Sequence, residues 1–359
     1  MKKKVVFYYQ DFPQKQLFEN ISKKLNKKKF NIIFTRNYKI TSDFGFYAED
    51  TNKIDEINSR VSFITIGGMD QGKLFWPNLW LKENWNKFDY GILPGQNWAN
   101  MWKKSSWYDK SHPKKAMLLT GWPKSEGIKN SKKRKSKIIL YAPGFETDNK
   151  GKNVIDAIKM TKIKILIKHL PWEQNKKDLH KYKDLRENIK EMQVYAKKML
   201  GNRAILIDSK VNIMKLYSKA DILITDESSV MYEALLFNLP SLSCGDWPMR
   251  TNNVNKPRKI KKDKRVCNYT NKKDLRKKIL LMFSNLRKYK IKSIRNKNKH
   301  FSHIYSSASN ISLFLEKYPK GKKLFNIKFF DDKNYLKSRF AEFKKFLKTD
   351  YKKILYKFN

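Results

Sequence analysis

Short apolar segments alternate with amphipathic segments through the first part of the chain. Residues 5–9 and 31–34 have the apolar character of buried strands, and residues 17–25 between them repeat apolar side chains at helical spacing. Further strand-like runs lie at residues 61–66, 90–93 and 117–119. Strands that alternate with helices are typical of a parallel sheet. The pattern therefore predicts an α/β domain of Rossmann-like type over residues 1–125.

The same alternation begins again at residue 138. The predicted strands are residues 138–141, 163–167, 204–207 and 221–225. Residues 126–137 lack apolar periodicity and carry clustered basic side chains, so we place an interdomain linker there. The sequence thus predicts two doubly wound Rossmann-like domains that face a cleft, the second over residues 138–315.

The last part of the chain has a different pattern. From Leu336 to Phe358 apolar side chains recur at steps of three or four, and lysines cover the remaining surface. We interpret residues 316–359 as a basic amphipathic tail. Two interpretations stay open: a helix packed on the body of the protein, and a helix that contacts an anionic membrane surface.

Charge and cysteine content narrow the classes of partner. The net charge is +47, from 80 Lys and Arg against 33 Asp and Glu, which favours polyanionic partners, although an AT-rich coding sequence also produces a lysine excess. Two cysteines without metal-binding spacing predict no metal site and fit a cytoplasmic protein. No apolar run approaches the ~18 residues that span a bilayer, so we expect any membrane contact to be peripheral.

The most informative segment is the turn after the strand predicted at residues 221–225. It leads into a helix, whose N-terminus exposes free N–H groups and favours anions. Ser228 and Ser229 are therefore candidates for binding the phosphates of a donor, and Glu233, one turn later, for accepting bonds from ribose hydroxyls. The alternative is simple capping with a Glu233 that faces solvent.

A second candidate site follows the strand predicted at residues 163–167. Ligands of open α/β sheets bind beyond the carboxyl ends of the strands, where Lys168 and His169 lie. We expect His169 to donate to a diphosphate oxygen or to act as an acid, and Lys168 to offset the diphosphate charge. The alternative is that His169 is an ordinary loop residue.

Three segments, residues 138–143, Lys168-His169 and residues 221–230, occur in an order that resembles the CDP-glycerol glycerophosphotransferase family. The resemblance covers residues 60–245 and implies a GT-B fold, with donor-binding roles for Pro143, Gly144 and Asp226. It also implies transfer of a glycerophosphate or sugar group from a CDP- or UDP-linked donor to a lipid-linked or polymeric acceptor of the cell envelope. Such an enzyme would work without a cofactor, peripherally on the inner face of the membrane.

The chain also departs from the family pattern. Gly67, Gly68 and Lys73 belong to an acceptor-side loop that lacks the family's usual histidine, and Asp70 is the candidate substitute base. Glu146 stands where the family usually has arginine. These departures leave open a GT-B glycosyltransferase that uses a UDP-sugar.

Two other interpretations are weaker. A nucleic-acid-binding protein would fit the charge, but the lysines are diffuse and no RNA-binding aromatic motif or zinc finger occurs, so nucleic acid is disfavoured as a partner. An epimerase-type enzyme would fit the same two-domain fold.

Overall fold

The structure is a computed structural model of the 359-residue chain. It describes residues 1–48, 54–69, 79–81, 83–105, 108–127, 136–171, 183–226, 228–250, 257–258 and 262–318. This part of the chain forms two compact units. The first takes in the described residues of 1–68, 73–127 and 298–318, and the second takes in Met69 and those of 128–297.

In the first unit, the described residues form a sheet of six parallel strands in the order β2-β1-β3-β4-β5-β6. The strands are β1 (Lys3–Tyr8), β2 (Phe30–Thr35), β3 (Ser42–Ala48), β4 (Ser59–Thr65), β5 (Tyr90–Ile92) and β6 (Ala116–Leu118). The helices α1 (Phe12–Lys24) and α2 (Gln96–Ser105) belong to the same unit. Helix α1 begins where the Asp11 carboxylate accepts the Gln14 N–H at 2.9 Å, which satisfies one of the free donors of the first turn.

The strand β3 was not among the predicted strands. Its buried Phe44 and Phe46 alternate around Gly45, and Asp43 interrupts the apolar run. Gly45 has a packing reason, since a Cβ there would lie 1.9 Å from Ser59 Oγ on the neighbouring strand β4. Because a polar residue and a glycine interrupt the apolar residues, the sequence pattern does not predict this buried strand.

The second unit contains six parallel strands among its described residues, in the order β14-β11-β10-β7-β8-β9. They are β7 (Ile138–Tyr141), β8 (Lys164–Lys168), β9 (Ala204–Ile207), β10 (Ile222–Ile224), β11 (Ser241–Cys244) and β14 (Cys267–Thr270). A short antiparallel pair, β12 (Met249–Arg250) and β13 (Pro257–Arg258), lies apart from the sheet. Strand order reverses between β7 and β10, and this switch point is where open α/β sheets bind ligands.

The helices described in the second unit are α3 (Lys150–Ile158), α4 (Lys183–Leu200), α5 (Met214–Tyr217), α6 (Val230–Leu236), α7 (Leu275–Ser284) and α8 (Leu286–His300), the last of which ends within the first unit. Ile155 of α3, Met192 of α4 and Ile279 of α7 share one buried cluster with Ile139 and Ile165 of the sheet. Two Rossmann-like units with parallel sheets confirm the predicted fold class. No helix in the described part of the chain is long and apolar enough to cross a bilayer.

The final described helix, α9 (Ser307–Glu316), packs on the first unit. The Phe314 ring lies edge-on to Phe63 and Tyr90, with ring centroids 5.9 and 5.3 Å away. The second domain was predicted to continue to residue 315, whereas the second unit ends at residue 297. The physical reason is that the apolar face of α9 covers β4 and β5. Most of the predicted tail, from residue 319 onward, lies outside the described residues.

This packing predicts unequal effects for two neighbouring substitutions. Phe314 is 1% exposed, so Phe314→Ala leaves a cavity and should lower the free energy of unfolding by about 3 kcal/mol. Leu313 is 39% exposed, and Leu313→Ala should change the free energy of unfolding by less than about 0.5 kcal/mol. Urea denaturation of both variants measures the difference. Equal effects would contradict the packing of α9 on the first unit.

Candidate active site

Two loops lie side by side at the switch point of the second sheet. One comprises residues 142–149 after β7, and the other comprises residues 225–229 after β10. The Thr225 hydroxyl donates to the Ala142 carbonyl at 2.7 Å, and the Ala142 N–H donates to the Ile224 carbonyl at 3.0 Å. These bonds hold the two loops in one arrangement at the edge where ligands of such sheets bind.

A buried ion pair joins the loops more tightly. The Lys150 ammonium lies 3.0 Å from Asp226 Oδ2, and the two side chains are 0% and 3% exposed. The Asp226 carboxylate also accepts the N–H groups of Gly144 at 2.7 Å and Phe145 at 3.2 Å. Moving a charge from water into the protein interior costs free energy. A buried charge is therefore stable only beside an opposite charge and hydrogen-bond partners such as these.

The loop after β7 reaches Lys150 through an unusual turn. Asp148 and Asn149 have φ angles of 58° and 55°, in the left-handed region. This region is sterically costly for most residues, and Asp and Asn are among those that tolerate it best. The helix α3 begins directly after this turn, with Lys150 as its first residue.

Glu146 lies in the same loop, and its buried carboxylate accepts two hydrogen bonds and contacts the His169 ring. The Tyr141 hydroxyl and the His169 Nε2 lie 2.8 and 3.0 Å from Oε2, and the Gly151 N–H lies 2.9 Å from Oε1. Burial and the charge of Glu146 raise the pKa of Tyr141 well above its usual value, so its hydroxyl keeps the proton that it donates. Glu146 therefore serves as an internal acceptor.

His169 follows β8 directly and is 5% exposed. Its Nε2 faces Glu146, whereas its Nδ1 is buried without a hydrogen-bond partner among the residues that the structure describes. The Thr147 hydroxyl of the neighbouring loop is likewise buried without a partner. Buried polar atoms are normally hydrogen-bonded, so the described residues leave two polar atoms at this edge of the sheet unsatisfied.

The Lys168 side chain, predicted to contact a diphosphate, contacts the protein backbone. Its ammonium donates to the carbonyls of His169 and Ser209, both at 2.7 Å. Lys168 thus supports the backbone that carries His169, and its predicted contact with a diphosphate stays a prediction.

The serine turn and Glu233 lie on the other side of the switch point. Ser228 Oγ lies 3.3 Å from Thr225 Oγ1 and accepts the Val230 N–H at 3.4 Å, while Ser229 precedes α6 without a side-chain cap. Glu233 is 3% exposed and accepts the Tyr217 hydroxyl at 3.1 Å. The alternative of a solvent-facing Glu233 is therefore wrong, because the side chain points into the interior. The ribose contact stays a prediction.

Only part of the predicted acceptor side is described. Gly67 and Gly68 follow β4 in the first unit and are half-buried. Asp70 and Lys73 lie outside the described residues, so their predicted roles stay predictions. Pro143 and Gly144 lie in the loop after β7, beside Asp226.

A comparison with family models bears on identity. Residues 67–245, half of the chain, match the model described as CDP-Glycerol:Poly(glycerophosphate) glycerophosphotransferase. The chain belongs to this glycerophosphotransferase family. It is a transferase, and the epimerase interpretation is set aside. The matched residues include both loops of the switch point and His169.

Solved structures of other proteins have a fold similar to that of this chain. The wall teichoic acid polymerase TagF is 16% identical, with 90% of each chain covered and a TM-score of 0.55. A putative UDP-N-acetylglucosamine 2-epimerase from Listeria monocytogenes is 13% identical, covers 89% of this chain and 97% of its own, and has a TM-score of 0.53. HepE of Anabaena, solved with UDP-glucose, is 9% identical, with 88% and 99% covered and a TM-score of 0.52.

At these identities the likeness shows the fold alone, which is GT-B. No curated protein sequence matches the chain.

Sequence reasoning missed two residues of this candidate site. Lys150 is one of 80 basic residues and carries no signal in the sequence. Glu146 was visible only as a departure from the family pattern. A buried role for Glu146 could have been suspected because it follows a buried strand by a few residues, as His169 does.

The ion pair predicts a large stability effect for one substitution. Asp226→Asn removes the charge that compensates Lys150 and should lower the free energy of unfolding by about 3 kcal/mol. Asp156→Asn, at an exposed pair with Lys159 on α3, should cost less than about 1 kcal/mol. Urea denaturation compares the two variants. A small effect for Asp226→Asn would show that the pair does not hold the loops together.

Proposed function

We propose that the chain transfers a glycerophosphate group from a CDP-linked donor to a hydroxyl group of a cell-envelope polymer, with the donor bound at the switch point of the second unit. The family match supports the class of reaction. The observation that carries the site is the Nδ1 of His169 at the carboxyl end of β8, which is buried and has no partner in the described part of the chain. A histidine nitrogen in this position can meet a phosphate oxygen.

In the proposed reaction, the acceptor oxygen attacks the phosphorus that bears the glycerol. The bond from this phosphorus to the bridging oxygen breaks, and CMP leaves with the electron pair. Asp70 is the proposed base that takes the proton of the acceptor hydroxyl. His169 donates a hydrogen bond from Nδ1 to a phosphate oxygen and so stabilises the charge that develops on the leaving group.

A sugar transferase that uses a UDP-linked donor is the second candidate. Glu146 at the family's arginine position and the acceptor loop without histidine favour it. The GT-B fold is also that of HepE, which was solved with UDP-glucose. In this reaction the bond between the anomeric carbon and the diphosphate oxygen breaks, and UDP leaves.

Ligand-induced stabilisation separates the two candidates. A donor at about 100 times its Kd stabilises the protein by roughly 2.7 kcal/mol, which raises the melting temperature. We expect CDP-glycerol to raise the melting temperature and UDP-glucose to leave the melting temperature unchanged. The reverse result would favour the sugar transferase, and salt-sensitive RNA binding without any nucleotide shift would contradict both.

The role of His169 has its own test. His169→Ala should lower the turnover of CDP-glycerol by about two orders of magnitude or more, because one donor to the developing charge is lost. The control is His303→Asn, at an exposed histidine with a φ of 48°, a conformation that asparagine tolerates. Turnover in a radiolabelled transfer assay should be normal in the control. Normal turnover in His169→Ala would contradict the site.

We propose further that the enzyme works in the cytoplasm at the inner face of the membrane, where a lipid-linked acceptor would lie. The support is the sequence from Leu336 to Phe358, whose apolar stripe is flanked by lysines. Each lysine near an anionic surface contributes about 1 kcal/mol, reduced by salt, and buried aromatic rings add an apolar contribution.

Vesicle sedimentation tests this location. Removal of the residues after Lys333 should abolish binding to anionic vesicles at low salt, while binding to neutral vesicles should be weak with and without the tail. A truncated protein that still binds anionic vesicles but melts at a lower temperature would identify the tail as a helix packed on the body.

A further inference from the structure

We infer that Glu146 is a positioning residue that fixes the ring of His169, so that Nδ1 and not Nε2 is the atom that meets the phosphate of the donor. The reaction in which this matters rests on the proposed function. The assignment of the ring nitrogens rests on the geometry of the second unit alone.

The carboxylate of Glu146 is held from three sides. The Tyr141 hydroxyl belongs to the end of β7, the Gly151 N–H to the first turn of α3, and the His169 ring to the residue after β8. The fit around Gly151 is close, since a Cβ there would lie 2.3 Å from Met192 Cγ and 3.1 Å from Glu146 Oε1. The position of the carboxylate is therefore set by the sheet and by α3.

These three donors also define what Glu146 does. It is buried, and both of its oxygens accept bonds from the protein. Because it is buried and contacts the His169 ring, it acts through His169. The buried Lys150 contacts a different carboxylate, that of Asp226, whereas Glu146 contacts the His169 ring.

The bond to Glu146 determines which ring nitrogen carries a hydrogen. An ionised carboxylate can only accept, so Nε2 must be the donor at 3.0 Å. The neutral ring then has a lone pair on Nδ1. The protonated ring has an N–H there, and the carboxylate offsets its charge. In the transfer step Nδ1–H donates to an oxygen of the departing phosphate, and no covalent bond of the ring forms or breaks.

The tautomer can be measured without any substrate. In protein labelled with ¹⁵N-histidine, long-range proton–nitrogen spectra over a pH titration distinguish a ring protonated on Nε2 from one protonated on Nδ1. The His169→Gln spectrum identifies the His169 signals among those of the five histidines. We expect the neutral His169 ring to carry its hydrogen on Nε2. A hydrogen on Nδ1 would overturn the inference, and this wild-type measurement needs no variant at Glu146 to fold.

Glu146→Gln tests the consequence for the reaction. Its amide can donate as well as accept, so Nε2–H is no longer enforced, and the Nδ1-protonated form should appear in the spectrum. We expect kcat to fall at least about tenfold, because the carboxylate that orients the ring and offsets the charge of its protonated, donating form is lost, with a change of less than about twofold in KM for the donor. An unchanged tautomer together with an unchanged kcat would overturn the positioning role.

Asp156→Asn is the matched control. Asp156 is also on α3 and accepts a tyrosine hydroxyl, from Tyr195 at 2.8 Å, but it is exposed and pairs with Lys159 on the same helix. The same loss of charge there should leave the His169 spectrum and kcat unchanged. If the protein transfers neither CDP-glycerol nor UDP-glucose but His169 is protonated on Nε2, the proposed function fails and the assignment of the ring nitrogens stands.

Discussion

The ion pair between Lys150 and Asp226 ties together the parts of the second unit that face the switch point. An ammonium group that is 0% exposed is tolerated only beside a compensating charge, and Asp226 Oδ2 supplies it at 3.0 Å. The same carboxylate accepts hydrogen bonds from the N–H groups of Gly144 and Phe145. These bonds fix the loop after β7 relative to the loop after β10. Glu146 lies in the chain between Phe145 and Lys150, so these contacts also fix its position beside His169.

The apolar pattern predicted most of the sheet but not the packing between distant segments. Strands such as β7 and β8 are continuous apolar runs, whereas β14 has the sequence Cys-Asn-Tyr-Thr and offers no such signal. Helix α9 follows the second unit in the chain but packs on Phe63 and Tyr90, about 250 residues earlier, and local periodicity carries no information about such partners. His169 was predictable because strand ends attract ligands, while Lys150 became visible only through its burial.

The charged side chains that the structure describes at the candidate site include acids as well as bases. Two acids, Asp226 and Glu146, lie there with Lys150, whose ammonium already contacts Asp226 and the Phe145 carbonyl. The Lys168 ammonium donates to two backbone carbonyls. Both of these buried lysines therefore contact groups of the protein itself, in a chain that has 80 basic residues.

The left-handed turn at Asp148 and Asn149 has a consequence for how this loop can change in evolution. A β-branched residue at either position would meet the steric cost of a positive φ, while Asn, Asp and Gly would be accepted. An insertion in the loop would displace Lys150 from Asp226 and leave a buried charge unpaired. Distant relatives that share this arrangement should therefore be recognisable by a fixed spacing: a buried strand, a loop of constant length, two residues that tolerate the left-handed conformation, and then lysine.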